Sequence, residues 1–320
     1  MSSSNHVGLR DSIGLGLVKL IRFYTFNSPI RKGKYRLSDL ALRLSRRRLP
    51  GETIVSTTDG RRLYADLSSW GMYETLYFIG EYEWAVTHFI TTVVRSNDVC
   101  LDIGANFGWY TTLLHRLCAP GGSVHAFEPV PNIFARLERN VALAGNPPNM
   151  RINNVALGDA PGVVTMHQFA GLAIGHSSLS TMGRSDYTAL EVPMMTLDSY
   201  LEEHHLDQVN FVKMDIEGAE LMMFKGAGKL FRQAVPPIWM IEMALGTTRG
   251  FNYLPNDLIL YMKEQADYEF YAVDEVALSL IPINGFAPDD IGANVLCMPA
   301  GHYRDRLPRA WVRASGVKGR

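Results

Sequence analysis

The chain has 320 residues, 47% of them hydrophobic and 20% charged, which suffices for one large α/β domain with an appendage. Three cysteines without metal-type spacing argue against a disulfide framework, and no run of about 20 apolar residues is present to span a bilayer. The net charge of −1 is unevenly spread: residues 1–50 carry +9, residues 301–320 carry +5 and the middle carries −15. Such asymmetry fits either basic ends packed on an acidic body or an anionic partner.

Residues 1–50 read as helical segments separated by Asn27-Ser28-Pro29. Ile13, Leu17, Leu20 and Tyr24 share one helical face, with Arg10, Lys19 and Arg22 nearby. That face either packs on the rest of the protein or lies in an anionic membrane surface. Lys19 and Arg22 interrupt the apolar stretch, which predicts no secretory signal; with Cys100 and Cys297 inside apolar strands, a reducing, cytoplasmic compartment is expected, peripheral at the membrane if the helix docks there. Thr58-Asp59-Gly60 is a turn between strands 53–57 and 62–65, and 72–94 is helical with a break at Gly80-Glu81-Tyr82-Glu83.

From residue 99 onward, strands alternate with helices. Strands are expected at 99–103, 123–127, 150–156, 209–214, 237–242, 268–273 and 293–298. Helices are expected at 108–118, 131–144, 196–204, 218–230 and 255–266. The alternation implies a mostly parallel sheet with right-handed crossovers. Residues 162–195 form an insertion with strand-like stretches at 163–169 and 191–196 around a Gly/Ser-rich loop, 171–185. Only a loop, 275–292, precedes the seventh strand, which suits an antiparallel, hairpin-like insertion.

The first strand runs into Asp102-Ile103-Gly104-Ala105-Asn106-Phe107-Gly108, and the second ends at Glu128. Strand, glycine turn, helix, strand and acidic tip make the first half of a nucleotide-type domain. Glu128 can take both hydroxyls of a ribose. A dinucleotide would want G-x-G-x-x-G and its pyrophosphate on the helix N-terminus. Asp102 would repel that pyrophosphate and attract an ammonium or sulfonium, which S-adenosylmethionine carries. A helix-entry glycine turn of an ordinary α/β protein has the same pentad; the pairing with Asp102 and Glu128 sets this one apart.

Leu101-Asp102-Ile103-Gly104-Ala105-Asn106-Phe107-Gly108 resembles motif I of the FkbM-type S-adenosylmethionine-dependent methyltransferases. Asn154-Val155-Ala156-Leu157-Gly158-Asp159, Ser177-Ser178-Leu179, Thr196-Leu197-Asp198-Ser199-Tyr200 and Phe211-Val212-Lys213-Met214-Asp215-Ile216-Glu217-Gly218-Ala219-Glu220 match the same family in its order. The resemblance covers roughly residues 60–300. It implies a class I (Rossmann-like) fold, with a mostly parallel seven-stranded sheet and helices on both faces. Residues 1–55 are then a basic helical extension, 56–300 the methyltransferase domain with 72–94 as its lid, and 301–320 a basic tail. Acceptors implied are hydroxyls of sugars, glycolipids or secondary metabolites; no specific nucleic acid is expected.

Residues at the carboxyl ends of the parallel strands should carry the site. Asp102, Gly104, Ala105, Asn106 and Gly108 would meet the methionine half of the cofactor, Glu128 and Pro129 the ribose, Ala156 and Asp159 the adenine. Asp215 would orient or deprotonate the acceptor, with Glu217 as second candidate and one acidic residue of Asp215, Glu217 and Glu220 capping the following helix. Glu242 ends the next strand; with Asp215 and Glu217 it could hold Mg²⁺, but the metal-free reading is preferred because strand ends alone give that spacing. His88, His167 and His176 are candidate bases, His176 foremost beside Ser177-Ser178, whereas His125 reads as core and His204-His205 as surface. Tyr73, Tyr77, Tyr82 and Trp84 form either an aromatic wall for the acceptor or a helix face. Two other readings stand beside the methyltransferase: an NAD-dependent oxidoreductase, and a non-catalytic module that binds cofactor or membrane.

Overall fold

The structure, a computed structural model, describes residues 9–45, 51–67, 72–169, 177–287, 290–307 and 309–313. His176, Arg46-Arg47-Arg48 and part of the 171–185 loop lie outside the described residues. The chain divides into two compact units, the first reaching Tyr82 and the second starting at Glu83.

The first unit holds helices Leu9–Asn27 and Lys34–Ser45, the hairpin Glu52–Ser56 with Arg62–Asp66, and helix Met72–Ile79. Its core is Val18, Ile21, Ala41, Phe78 and Ile79. Val18, Ile21 and Thr25 recur at three- and four-residue spacing, so one stripe of the first helix is buried. The Thr25 hydroxyl donates to the Phe78 carbonyl at 2.6 Å, and the Arg22 guanidinium lies 4.2 Å from the Tyr77 ring centroid. Tyr77 therefore serves helix packing in this unit.

The second unit is built on eight strands: β1 Val99–Ile103, β2 Ser123–Phe127, β3 Met150–Asn153, β4 Phe211–Met214, β5 Ile238–Ala244, β6 Tyr268–Asp274, β7 Ser279–Ile283 and β8 Gly292–Pro299. Their order is β7-β6-β8-β5-β4-β1-β2-β3. Strands β1 to β5 pair in parallel, while β8 runs antiparallel to both β5 and β6 and β7 antiparallel to β6. The sheet is thus α/β but mixed and eight-stranded, which corrects the expected seven strands. Residues 279–283 read as loop because Pro282 lacks a backbone donor; an edge strand tolerates it, and β7 is at the edge.

Expected strand 150–156 is two pieces. Asn153 and Asn154 interrupt it by turning their amides onto backbone carbonyls: Asn153 onto Ala126, and Asn154 onto Glu128 and Pro129. Ala156–Leu157 then joins a second sheet with Gly162–Phe169, Ser177–Ser178 and Tyr187–Met195. Expected helix 218–230 also splits, into Glu220–Lys225 and Gly228–Phe231. Gly226 separates them where a Cβ would stand 2.0 Å from the Gly158 carbonyl oxygen.

Alternation sorts the main sheet into two faces. Leu101, Ile103, Val212, Met214, Trp239, Ile241, Val295 and Cys297 share one core cluster with residues of helices Leu197–Glu203 and Pro255–Gln265. Cys100, Asp102, Lys213, Glu242 and Asn294 alternate onto the opposite face, where helix Trp109–Cys118 packs. Two basic residues near the C-terminal end are paired within this unit. Arg306 meets Asp98 at 2.6 Å and Arg313 meets Asp274 at 3.3 Å, which favours the packed reading of that end over an anionic partner.

Candidate functional site

The tip of β1 turns on Gly104, whose φ is +83°. A Cβ there would lie 1.8 Å from the Asp215 carbonyl oxygen, so glycine is what lets the β1 and β4 tips touch. Asn106 and Gly108 are also left-handed, at +51° and +91°. The loop is pinned from both sides: Gly104 and Ala105 donate to the Phe127 carbonyl, and the Asn140 amide donates to the Phe107 carbonyl at 2.6 Å.

Glu128, at the tip of β2, is buried and fixes that loop. Its Oε2 accepts from the Asn106 amide at 3.0 Å and its Oε1 from the Val130 amide at 2.9 Å. Burial pushes its carboxyl up to about 7, against those two hydrogen bonds. Asp102 lies deeper, only 1% exposed, with Oδ2 accepting from the Thr111 hydroxyl at 2.5 Å. Burial raises it to about 6, with Thr111 and Lys213 pulling the other way. Asp102 is therefore part of the field beneath the loop and not of its surface. Pro129 is half-buried and its carbonyl accepts from Asn154. Ala156 is buried in the second sheet and Asp159 is exposed in the bend beyond it.

The tip of β4 carries a group that sequence reasoning passed over. Lys213 is 1% exposed, in register with Asp102 on β1, and its Nζ sits 3.3 Å from Asp215 Oδ2 and 5.4 Å from the Tyr110 ring centroid. The Tyr110 hydroxyl donates to Glu83 Oε2 at 2.6 Å. Burial lowers a lysine, but Asp215, Glu83, Glu242 and Asp102 outweigh it and hold Lys213 above the ordinary lysine value. The Asp215 side chain is 30% exposed. Glu242 is pushed up to about 10, first by the Asp215 charge and then by burial. The one signal available in sequence was a lysine in the middle of the buried strand Phe211-Val212-Lys213-Met214.

Among the described residues no side chain caps helix Glu220–Lys225, contrary to expectation; Glu220 lies in its first turn, buried, and ties the preceding loop by accepting from the Gly218 amide at 3.1 Å and the Tyr253 hydroxyl at 2.7 Å. Glu217 is half-buried with φ +53°, and its carbonyl accepts from the Ser178 hydroxyl at 2.8 Å. Among the described residues no group of three His, Cys, Asp or Glu is arranged to hold a metal ion. His88 stacks edge-on against Trp311 at 4.7 Å and His167 against Tyr187 at 4.6 Å. His125 is core: its Nδ1 is 2.8 Å from the Tyr200 hydroxyl, and burial lowers it to about 4.

A glycine loop and an acidic tip on adjacent parallel strands, in a sheet whose β8 reverses direction between β5 and β6, define a Rossmann-like protein of the methyltransferase class. The family model described as the methyltransferase FkbM domain matches residues 102–270, just over half of the chain, and the chain belongs to that family. It is a methyltransferase. Similar proteins include the 31-O-demethyl-FK506 methyltransferase FkbM of Streptomyces tacrolimicus, 30% identical over 187 residues covering 48% of this chain and 70% of that protein. The hexuronic acid methyltransferase AglP of Haloferax volcanii is 29% identical over 132 residues, 41% of this chain and 51% of that protein. Among solved structures, methyltransferase FkbM from Methylobacillus flagellatus matches at 16% identity and TM-score 0.42, over 91% of this chain and 60% of that one. The chain thus spans about half of AglP and 60% of the Methylobacillus protein.

Proposed function

We propose that the protein is an S-adenosylmethionine-dependent O-methyltransferase acting on a hydroxyl of a sugar, glycolipid or secondary metabolite. The observation that carries this reading is the half-exposed Asp215 carboxylate, in contact with a buried ammonium, at the strand tip that meets the Gly104 turn. The names of two relatives, a 31-O-demethyl-FK506 methyltransferase and a hexuronic acid methyltransferase, support the acceptor class.

The donor set fits the cofactor. Each Glu128 oxygen has given one lone pair to a backbone amide and keeps capacity for a ribose hydroxyl. Gly104, Ala105, Asn106 and Gly108 leave backbone in place of bulk beside it, and Asp102 below favours a cationic ligand over a pyrophosphate, which disfavours the NAD reading. Pro129 continues the ribose wall, and Ala156 and Asp159 are assigned to the adenine edge. When bound, S-adenosylmethionine supplies a methyl group activated on a sulfonium. Asp215 receives the hydrogen of the acceptor hydroxyl and aligns its oxygen; Glu217 is the alternative, and His176 remains a candidate base outside the described residues. No metal enters this mechanism. The methyltransferase domain is assigned to 56–300, between a 1–55 extension and a 301–320 tail, and so includes the part of the first compact unit from 56 to Tyr82.

Calorimetry with S-adenosylhomocysteine tests the cofactor assignment. Binding should be measurable where NAD binding is not, and Glu128→Ala should weaken it by about 1.5–3 kcal/mol. Ionised Glu128 is the better acceptor for ribose hydroxyls. With its carboxyl at about 7, lowering the pH from 8 to 6 should weaken binding about tenfold, and Glu128→Gln should abolish that dependence. Preference for NAD, or an affinity indifferent to Glu128, contradicts the assignment.

A second element of the reading is a cytoplasmic enzyme peripheral to an anionic bilayer. Helix Leu9–Asn27 turns Leu20 (63% exposed) and Phe23 (68% exposed) outward with Leu17 and Tyr24, and Lys19 is exposed beside them. Among the described residues no helix is long and apolar enough to cross a membrane, so any docking is interfacial. Vesicles containing phosphatidylserine should sediment the protein at low salt, and Leu20→Glu with Phe23→Glu should release it while S-adenosylhomocysteine affinity is kept. A protein that ignores such vesicles at low salt contradicts the docking.

A further inference from the structure

Four polar side chains occupy one face of the main sheet at its carboxyl end: Asp102 on β1, Lys213 on β4, Glu242 on β5 and Asn294 on β8. A buried lysine needs a reason, because burial without a partner neutralises it. Lys213 has one in direct contact, the Asp215 carboxylate at 3.3 Å. Parallel register pairs Met214 with Ile241, so one residue further on Asp215 comes level with Glu242. Alternation puts both side chains on the same face of neighbouring strands, where two ionised carboxylates would repel each other. One of them keeps a proton. The ammonium touches Asp215, which settles which one does not.

We infer that Lys213 is a positioning residue of the methyl-transfer site: its buried ammonium fixes Asp215 as the carboxylate and leaves Glu242 as the carboxylic acid of a one-proton pair. Among the described residues, the other charges around the pair do not reverse this. Glu83, from the N-terminus of helix Trp84–Val93, and Asp102 both face Lys213 and hold it charged. Glu217 adds repulsion at Glu242, which favours its neutral form. Glu220 feels the Asp215 charge, but its own carboxylate is occupied by Gly218 and Tyr253. Asn294, cross-strand from Glu242, has its Oδ1 buried without a hydrogen-bond partner among the described residues, a ready acceptor beside a carboxylic acid. The acid's single proton can turn from Asn294 Oδ1 to the acceptor molecule, so the pair offers that molecule both a hydrogen-bond acceptor and a donor. That matches an acceptor molecule whose reacting hydroxyl sits next to a second hydroxyl or an ether oxygen, as in a sugar, and deepens the proposed function, on whose placement of Asp215 it rests.

The test is a carboxyl ¹³C titration of the full-length protein, labelled in its Asp and Glu carboxyl carbons and assigned with Asp215→Asn and Glu242→Gln. At neutral pH the Asp215 signal should be that of a carboxylate and the Glu242 signal that of an acid. Lys213→Met keeps most of the volume and removes the charge, and should raise the Asp215 midpoint by about 1–3 units. A folded Lys213→Met protein with an unmoved Asp215 overturns the inference. So does a protonated Asp215 or an ionised Glu242 in the unmutated protein, which decides the matter even if the variant does not fold. S-adenosylhomocysteine binding by the same samples keeps the two claims separable: its loss with an intact titration removes the cofactor assignment and leaves the pair standing.

Discussion

Replacing Asp215 by Asn is expected to cut methyl transfer by roughly 10²–10⁴-fold, the span of general acid–base catalysis. The substitution keeps size and shape and removes the charge that faces Lys213. Stability should change far less than turnover. Glu220 holds the helix entry through Gly218 and Tyr253, so Asp215 is not needed there. S-adenosylhomocysteine affinity should also be near that of the unmutated protein, because Glu128 and the Gly104 loop are untouched. Steady-state kinetics with an identified acceptor, together with calorimetry, checks the split. Near-normal turnover would reject Asp215 and move the search to Glu217 and His176.

Gly104→Ala is expected to damage the site through the backbone. The residue is left-handed, which costs an alanine roughly 1–2 kcal/mol, and its Cβ would stand 1.8 Å from the Asp215 carbonyl oxygen, adding roughly 1–3 kcal/mol of overpacking. A loss of about 2–5 kcal/mol should appear in urea unfolding. Gly145→Ala is the control, because Gly145 is left-handed at +91°, as Gly104 is at +83°, but has nothing within 4 Å of a Cβ. It should lose only the conformational part. Equal losses at the two positions would show that contact between the β1 and β4 tips is not what Gly104 provides.

Much of this frame was readable in the chain. The β1 and β2 strands, the glycine turn and the acidic tip fall where the apolar runs and turn residues put them, because parallel core strands are short, continuous and bounded. Errors came where a side chain competes with the local pattern. Asn153 and Asn154 ended β3 early by bonding to the backbone of the neighbouring strand, a tertiary event with no local signal. Pro282 disguised an edge strand as a loop. In the site, Glu128 and Asp215 could be read from their positions at strand ends. Lys213 could not, because a charge inside a strand ordinarily marks a solvent face. Only the convergence of Asp102, Asp215 and Glu83 from separate elements makes its burial tolerable.

Transfer of a methyl group to a hydroxyl oxygen is the step on which the roles of Asp215 and Glu128 depend. It is tested most directly by incubating the protein with methyl-¹³C S-adenosylmethionine and a panel of neutral sugars, glycolipids and polyketide alcohols, then locating the label by NMR. A labelled methyl on oxygen is expected in at least one acceptor class, lost in Asp215→Asn. Label on nitrogen or carbon, or hydride transfer from NAD with no methylation, would contradict it.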